Sequence, residues 1–158
     1  MSSLQVDSIS SMGGGHVDGA GLVVQYVETS DDRVATSIEV NSGAWTNIGI
    51  TLSFTPEFIG SKVCVQYIGS MGFAPPNNTL NITLFKDGVQ APSRYGLGFI
   101  KGDNSSSYSP ITGQYVFTTT SLNTIVFAVY AKRPSGTSNV TPVSEYSSYV
   151  LSATEYAQ

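Results

Sequence analysis

The chain has 158 residues, a net charge of −4 and only 11% charged residues, less than half the usual share of about 25%. Length suits one domain, and solubility must come from Ser, Thr, Asn, Gln and Gly rather than from charge. There is no basic run to neutralise a row of phosphates and no stretch near the roughly 20 apolar residues of a membrane span, which disfavours nucleic acid and membrane as partners.

The first segment differs from the rest. Residues 1–12 form a short arm whose main apolar residues are Leu4, Val6 and Ile9, and residues 13–21 form a tether opened by Gly13, Gly14 and Gly15. A glycine triplet reads as a hinge or linker. Met1 to Ile9 shows no positive region followed by an apolar one, so the expectation is a protein made and folded in a cytoplasm.

Residues 22–158 read as one β domain. Leu22 to Glu28 is the first strand candidate, and Val34, Ile38 and Val40 mark a second. Trp45 opens the cleanest period-2 run, in which Ile48, Ile50, Leu52 and Phe54 alternate with polar residues and Gly49. Such alternation predicts one buried and one solvated face. Pro56 ends it. Lys62 to Ser70 follows, with Val63, Val65 and Tyr67 on one side and Cys64, Gln66 and Ile68 on the other. Leu80, Ile82 and Leu84 lead to Asp87-Gly88, a strong hairpin signal. Ser93 to Lys101 is a further candidate, Asp103 to Pro110 reads as a loop, and Gln114 to Thr119, Thr124 to Lys132 and Ser148 to Tyr156 complete the set. About eight or nine strands at this spacing predict an all-β, antiparallel, jelly-roll-like β-sandwich, with a small closed barrel as the alternative.

The sequence offers little chemistry. His16, the single histidine, lies in the tether among glycines that would leave it poorly fixed for catalysis. One His and one Cys make no metal-ligand set, so neither metal nor cofactor is expected. Cys64, between Val63 and Val65, reads as a small buried apolar residue. The carboxylates mostly sit at turns. Glu39 and Glu155 lie on strand candidates and are expected to point to solvent. A paired-carboxylate glycan hydrolase remains a third-ranked alternative, and the expectation is a protein that is not an enzyme.

Binding has two candidate surfaces. The arm, anchored by Leu4, Val6 and Ile9, could add to a sheet edge of another subunit through main-chain hydrogen bonds. The aromatic residues could form a sugar-stacking or protein-contact surface. Trp45, Tyr67, Tyr115 and Tyr130, within or at the ends of strand runs, are expected to fill the sandwich or cover its strands. Tyr95 and Tyr108, near loops, are the candidate glycan contacts, and Tyr146, Tyr149 and Tyr156 a candidate subunit contact.

The stretch SGAWTNIGITLSFTP, residues 42–56, followed by Gly60-Ser61-Lys62-Val63-Cys64-Val65, resembles a domain of phage tail-fibre and other virion appendage proteins, especially those of phages of aquatic bacteria. The opening MSSLQVDSI is similar to the start of such proteins. The pattern departs from the family at Glu57 to Gly60, where a serine-rich turn would stand. The resemblance implies a trimeric β-sandwich of a phage particle. A body this short, without a shaft, suits a capsid decoration (cement) protein that binds the major capsid protein on the outer shell and stabilises it, with host surface glycans as a further partner. The receptor-binding tip of a short tail fibre is the alternative.

Overall fold

The computed structural model describes residues 22–31, 38–41, 43–73, 79–91, 98–101, 107–133, 137–141 and 149–157. The arm, with Leu4, Val6 and Ile9, and the tether with His16 lie outside these residues. The described residues form eleven strands: β1 (Val23–Asp31), β2 (Ile38–Asn41), β3 (Thr46–Phe54), β4 (Lys62–Phe73), β5 (Thr79–Lys86), β6 (Val89–Gln90), β7 (Gly98–Lys101), β8 (Ser107–Thr118), β9 (Ile125–Lys132), β10 (Thr137–Thr141) and β11 (Tyr149–Tyr156). Each of the nine expected runs carries one of them. The two additions, β6 and β10, are short.

The strands make two antiparallel sheets, so the body is a sandwich. In the first, β11 lies between β1 and β4, β8 covers the other edge of β4, and β10 and β2 extend the sheet beyond the end of β11. In the second, the order is β3, β9, β5, with β6 and β7 sharing the far edge of β5. The pairing is nested. β1 pairs with β11, β2 with β10, β3 with β9, β4 with β8 and β5 with β7. The chain is thus one long hairpin, with β6 near its tip, rolled so that β4 meets β11 and β5 meets β9. This is the jelly-roll arrangement.

The alternation in the sequence accounts for the layers. Along β3, Ile48, Ile50, Leu52 and Phe54 are buried and Asn47, Gly49, Thr51 and Ser53 exposed. Val63, Val65 and Tyr67 of β4, Leu80, Ile82 and Leu84 of β5, Phe127 and Val129 of β9 and Leu151 and Ala153 of β11 meet them in one core. Phe117 stands at the edge of this core, 5.8 Å from the Phe127 ring, and Lys86 Nζ lies 4.9 Å over its face.

Two local features set the register. Asp87 and Gly88 both have positive φ, 49° and 77°, as the two-residue turn joining β5 to β6 requires. In β3, the five residues from Asn47 to Thr51 oppose three of β9, Tyr130 to Ala128. Gly49 takes φ 82° at this bulge, and its amide donates to Asn47 Oδ1 at 2.8 Å. The inserted pair of residues preserves the in–out alternation on either side.

Phe127 has no exposed surface and lies at the centre of the second sheet. Phe127→Ala is expected to lower unfolding free energy by about 3–5 kcal/mol, read from the midpoint of a urea transition with an unchanged slope.

Candidate functional site

All connections at one end of the sandwich lie within the described residues. Here β3 turns into β4 through Thr55–Ser61, β5 turns into β6, and β8 turns into β9 through Thr119–Thr124. Both chain ends of the described body are here too: Ala157 N donates to Leu22 O at 2.9 Å.

The β3–β4 connection is held by a buried carboxylate. Glu155 of β11 is fully buried. Its Oε2 accepts from Glu57 N at 2.9 Å, and its Oε1 from Phe58 N at 3.1 Å and from Ser61 Oγ at 2.5 Å. This corrects the expectation that Glu155 faces solvent. Simple alternation places it on the inward side of β11, in line with Leu151 and Ala153. The loop supplies the donors that make burial of a carboxylate tolerable. Thr119 completes the clamp. Its hydroxyl donates to Phe58 O at 2.6 Å, its amide donates to Ser61 O, and Gly60 N donates to Thr119 O.

The loop so fixed presents apolar surface. Phe58 is 53% and Ile59 67% exposed. With Gly60, Ser61 and Ala157 they line a groove of about 330 Å³. Leu22, Val23 and Leu122, at the same end, are also exposed. The loop was not among the surfaces expected from the sequence. The signal that could have found it was two adjacent large apolar residues, Phe58 and Ile59, placed just after the proline that ends a strand.

A second surface lies on the outer face of the second sheet. Phe85 and Tyr130 stack with centroids 3.9 Å apart. Trp45 meets Phe85 edge-on at 6.4 Å, and Lys132 Nζ sits 5.9 Å from the Trp45 ring. On this same outer face Thr83 and Ala128, cross-strand partners of Tyr130 and Phe85, are buried. Trp45 and Tyr130 therefore cover strands, whereas Tyr67 is in the core and Tyr115 packs partly against it.

The remaining site residues read as follows. Tyr95 lies outside the described residues, and Tyr108 is placed only by its backbone, paired with Gly72 at the end of β4 remote from Glu155. Tyr149 and Tyr156 stand at opposite ends of β11, so they form no single contact, and Tyr146 is outside the described residues. Cys64 departs from expectation. It is half-buried on the outer face of the first sheet, because Val63 and Val65 occupy the core side. Desolvation pushes its thiol above the usual value.

The other carboxylates are spread out. Asp87 Oδ1 accepts from Val126 N at 2.9 Å. Glu28 accepts from the Tyr26 hydroxyl at 2.5 Å, a bond that raises the Tyr26 pKa. Among the described residues no group of three or more His, Cys, Asp or Glu side chains is placed to hold a metal ion, and no helix is long and apolar enough to cross a membrane. No known family model matches the chain, and no curated protein sequence matches it.

Two measurements test this account. Glu155→Gln, which keeps shape but turns an amide toward the donors, is expected to destabilise by about 2 kcal/mol, since bonds to a charged acceptor each contribute roughly 1.5–3 kcal/mol. A change below about 0.5 kcal/mol, typical of a surface site, would show that the carboxylate is not needed. For Cys64, alkylation at pH 8 is expected to be several-fold slower than that of a free thiol and to accelerate in urea, because a raised pKa and partial burial both reduce accessible thiolate.

Proposed function

We propose that this chain is a non-enzymatic structural and interaction protein of a phage particle, a capsid decoration protein. In this reading it binds the outer surface of the major capsid shell as a trimer and stabilises it. The observation that carries the reading is the exposed apolar loop Phe58–Ile59, anchored by Glu155. Exposed side chains of this size on a rigid loop match the apolar centre of a protein interface better than they match a solvated turn. The rest of the surface supports it. Neutral polar groups are cheaper to desolvate than ions, and a shell built from many copies needs repeated contacts of modest strength. Two of the carboxylates are engaged structurally: Glu155 accepts three bonds from the β3–β4 loop and Asp87 accepts one from the Val126 amide.

The second reading, a receptor-binding tip of a short tail fibre, is favoured by the Trp45, Phe85 and Tyr130 cluster. Half-exposed rings beside exposed Asn47 and Thr51 are the chemistry that stacks on host surface glycans.

Copy number separates the two. Quantifying the protein against the major capsid protein in purified particles is expected to give copies on the order of hundreds. A handful per particle, with free protein blocking adsorption to the host, would establish the tail reading. Absence from particles would dismiss both.

A further inference from the structure

We infer that the groove beside Phe58 and Ile59 is the seat of this chain's own N-terminal arm, with Leu4, Val6 and Ile9 as the anchoring side chains. The inference concerns the protein free of a particle, in which the arm covers the loop that a shell would otherwise take, and its test does not require a particle.

The groove is built rather than incidental. Glu155 and Thr119 fix the backbone that forms it. Gly60, one of its lining residues, is itself open, since a Cβ placed on it would meet no heavy atom within 4 Å. The groove's volume lies at the low end of the range of sites that take apolar ligands, about 300–1,000 Å³. Yet its largest walls, Phe58 and Ile59, are more than half exposed. Leaving two such side chains largely in water forgoes the gain that full burial would bring. A loop held open by a buried carboxylate network does not collapse to recover that energy by itself.

The occupant follows from where the chain enters. Ala157 lines the groove and is bonded to Leu22, so residues 1–21 join the body at the groove's edge. Between Ile9 and Leu22 the sequence is rich in glycine: Gly13, Gly14, Gly15, Gly19 and Gly21. A Gly-rich linker of that length has a root-mean-square span of about 20 Å, enough to lead back over the end of a sandwich. Tethering at this range gives an effective concentration in the millimolar region, which favours the chain's own arm over that of another copy. The chemistry matches as well. Residues 1–12 contain three branched aliphatic side chains and a single charged one, Asp7, and they would meet a rim of Phe58 and Ile59.

The test uses the full chain throughout. In isotope-labelled protein, nuclear Overhauser contacts are expected between Ile59 or Phe58 and the methyl groups of Leu4, Val6 or Ile9. The combined variant Leu4→Asp, Val6→Asp, Ile9→Asp should shift the amide resonances of Ile59, Gly60 and Ala157 while leaving Asp87 and Gly88 in place. Ile59→Asp, at an exposed position, should shift the arm's resonances in return. Mixing labelled with unlabelled protein identifies the owner of the arm. Contacts that stay within one labelled chain support the inference. Contacts only between labelled and unlabelled chains would overturn it in favour of a neighbour's arm, and unmoved loop resonances in the triple variant would overturn it outright.

Discussion

Nested strand pairing governs this molecule. Because β1 pairs with β11, β3 with β9 and β4 with β8, nearly every ladder joins residues far apart in sequence. Each such closure orders chain before it returns any contact energy. The return comes from the shared inner faces. Ile50 and Leu52, Val65 and Tyr67, Leu84, Phe127 and Leu151 bury one another only when both sheets are in place. Neither sheet has a core without the other, so the two sheets should form together rather than in sequence.

Glu155 links that pairing to the molecule's surface chemistry. It belongs to β11, the strand held between β1 and β4, and its carboxylate reaches the connection that crosses from the second sheet to the first. One side chain thereby ties a central strand to the loop between the layers. A buried ion bonded by two amides and a hydroxyl adds little net stability over an apolar replacement that packs well, but it is expensive to leave half-satisfied. Such a group defines loop geometry more than it raises total stability. What it defines here is the attitude of Phe58 and Ile59.

Much of the fold was legible because alternation is a direct record of a two-sided sheet. The Ile48 to Phe54 run and the Asp87-Gly88 turn could be placed from the sequence, and β3, β5 and β6 stand where those signals point. β10 escaped because Thr137, Ser138, Asn139 and Thr141 leave Val140 as its lone apolar residue, so its place in the sheet rests on backbone pairing with β2 and β4. β8 begins at Ser107 and includes Pro110, which an edge strand tolerates because one side of its backbone needs no partner. The candidate site was less readable. Period-2 logic does put Glu155 on the inner face, but no local pattern reveals that Glu57, Phe58 and Ser61, some 95 residues earlier, will supply its donors. Likewise, Phe85 and Tyr130 stack only because their strands are neighbours.

The position of β11 has a consequence for synthesis. A ribosome releases the chain from its N-terminal side at about 5–20 residues per second. β1 and β4 therefore wait on the order of ten seconds for the strand that belongs between them. Throughout that interval the first sheet cannot close, and the strand edges that β11 will cover stay open to any extended peptide nearby. The protein is thus most vulnerable to misassembly while it is being made. The low charge that suits its finished surface gives the nascent chain little electrostatic protection, and chaperone access during translation would govern its yield.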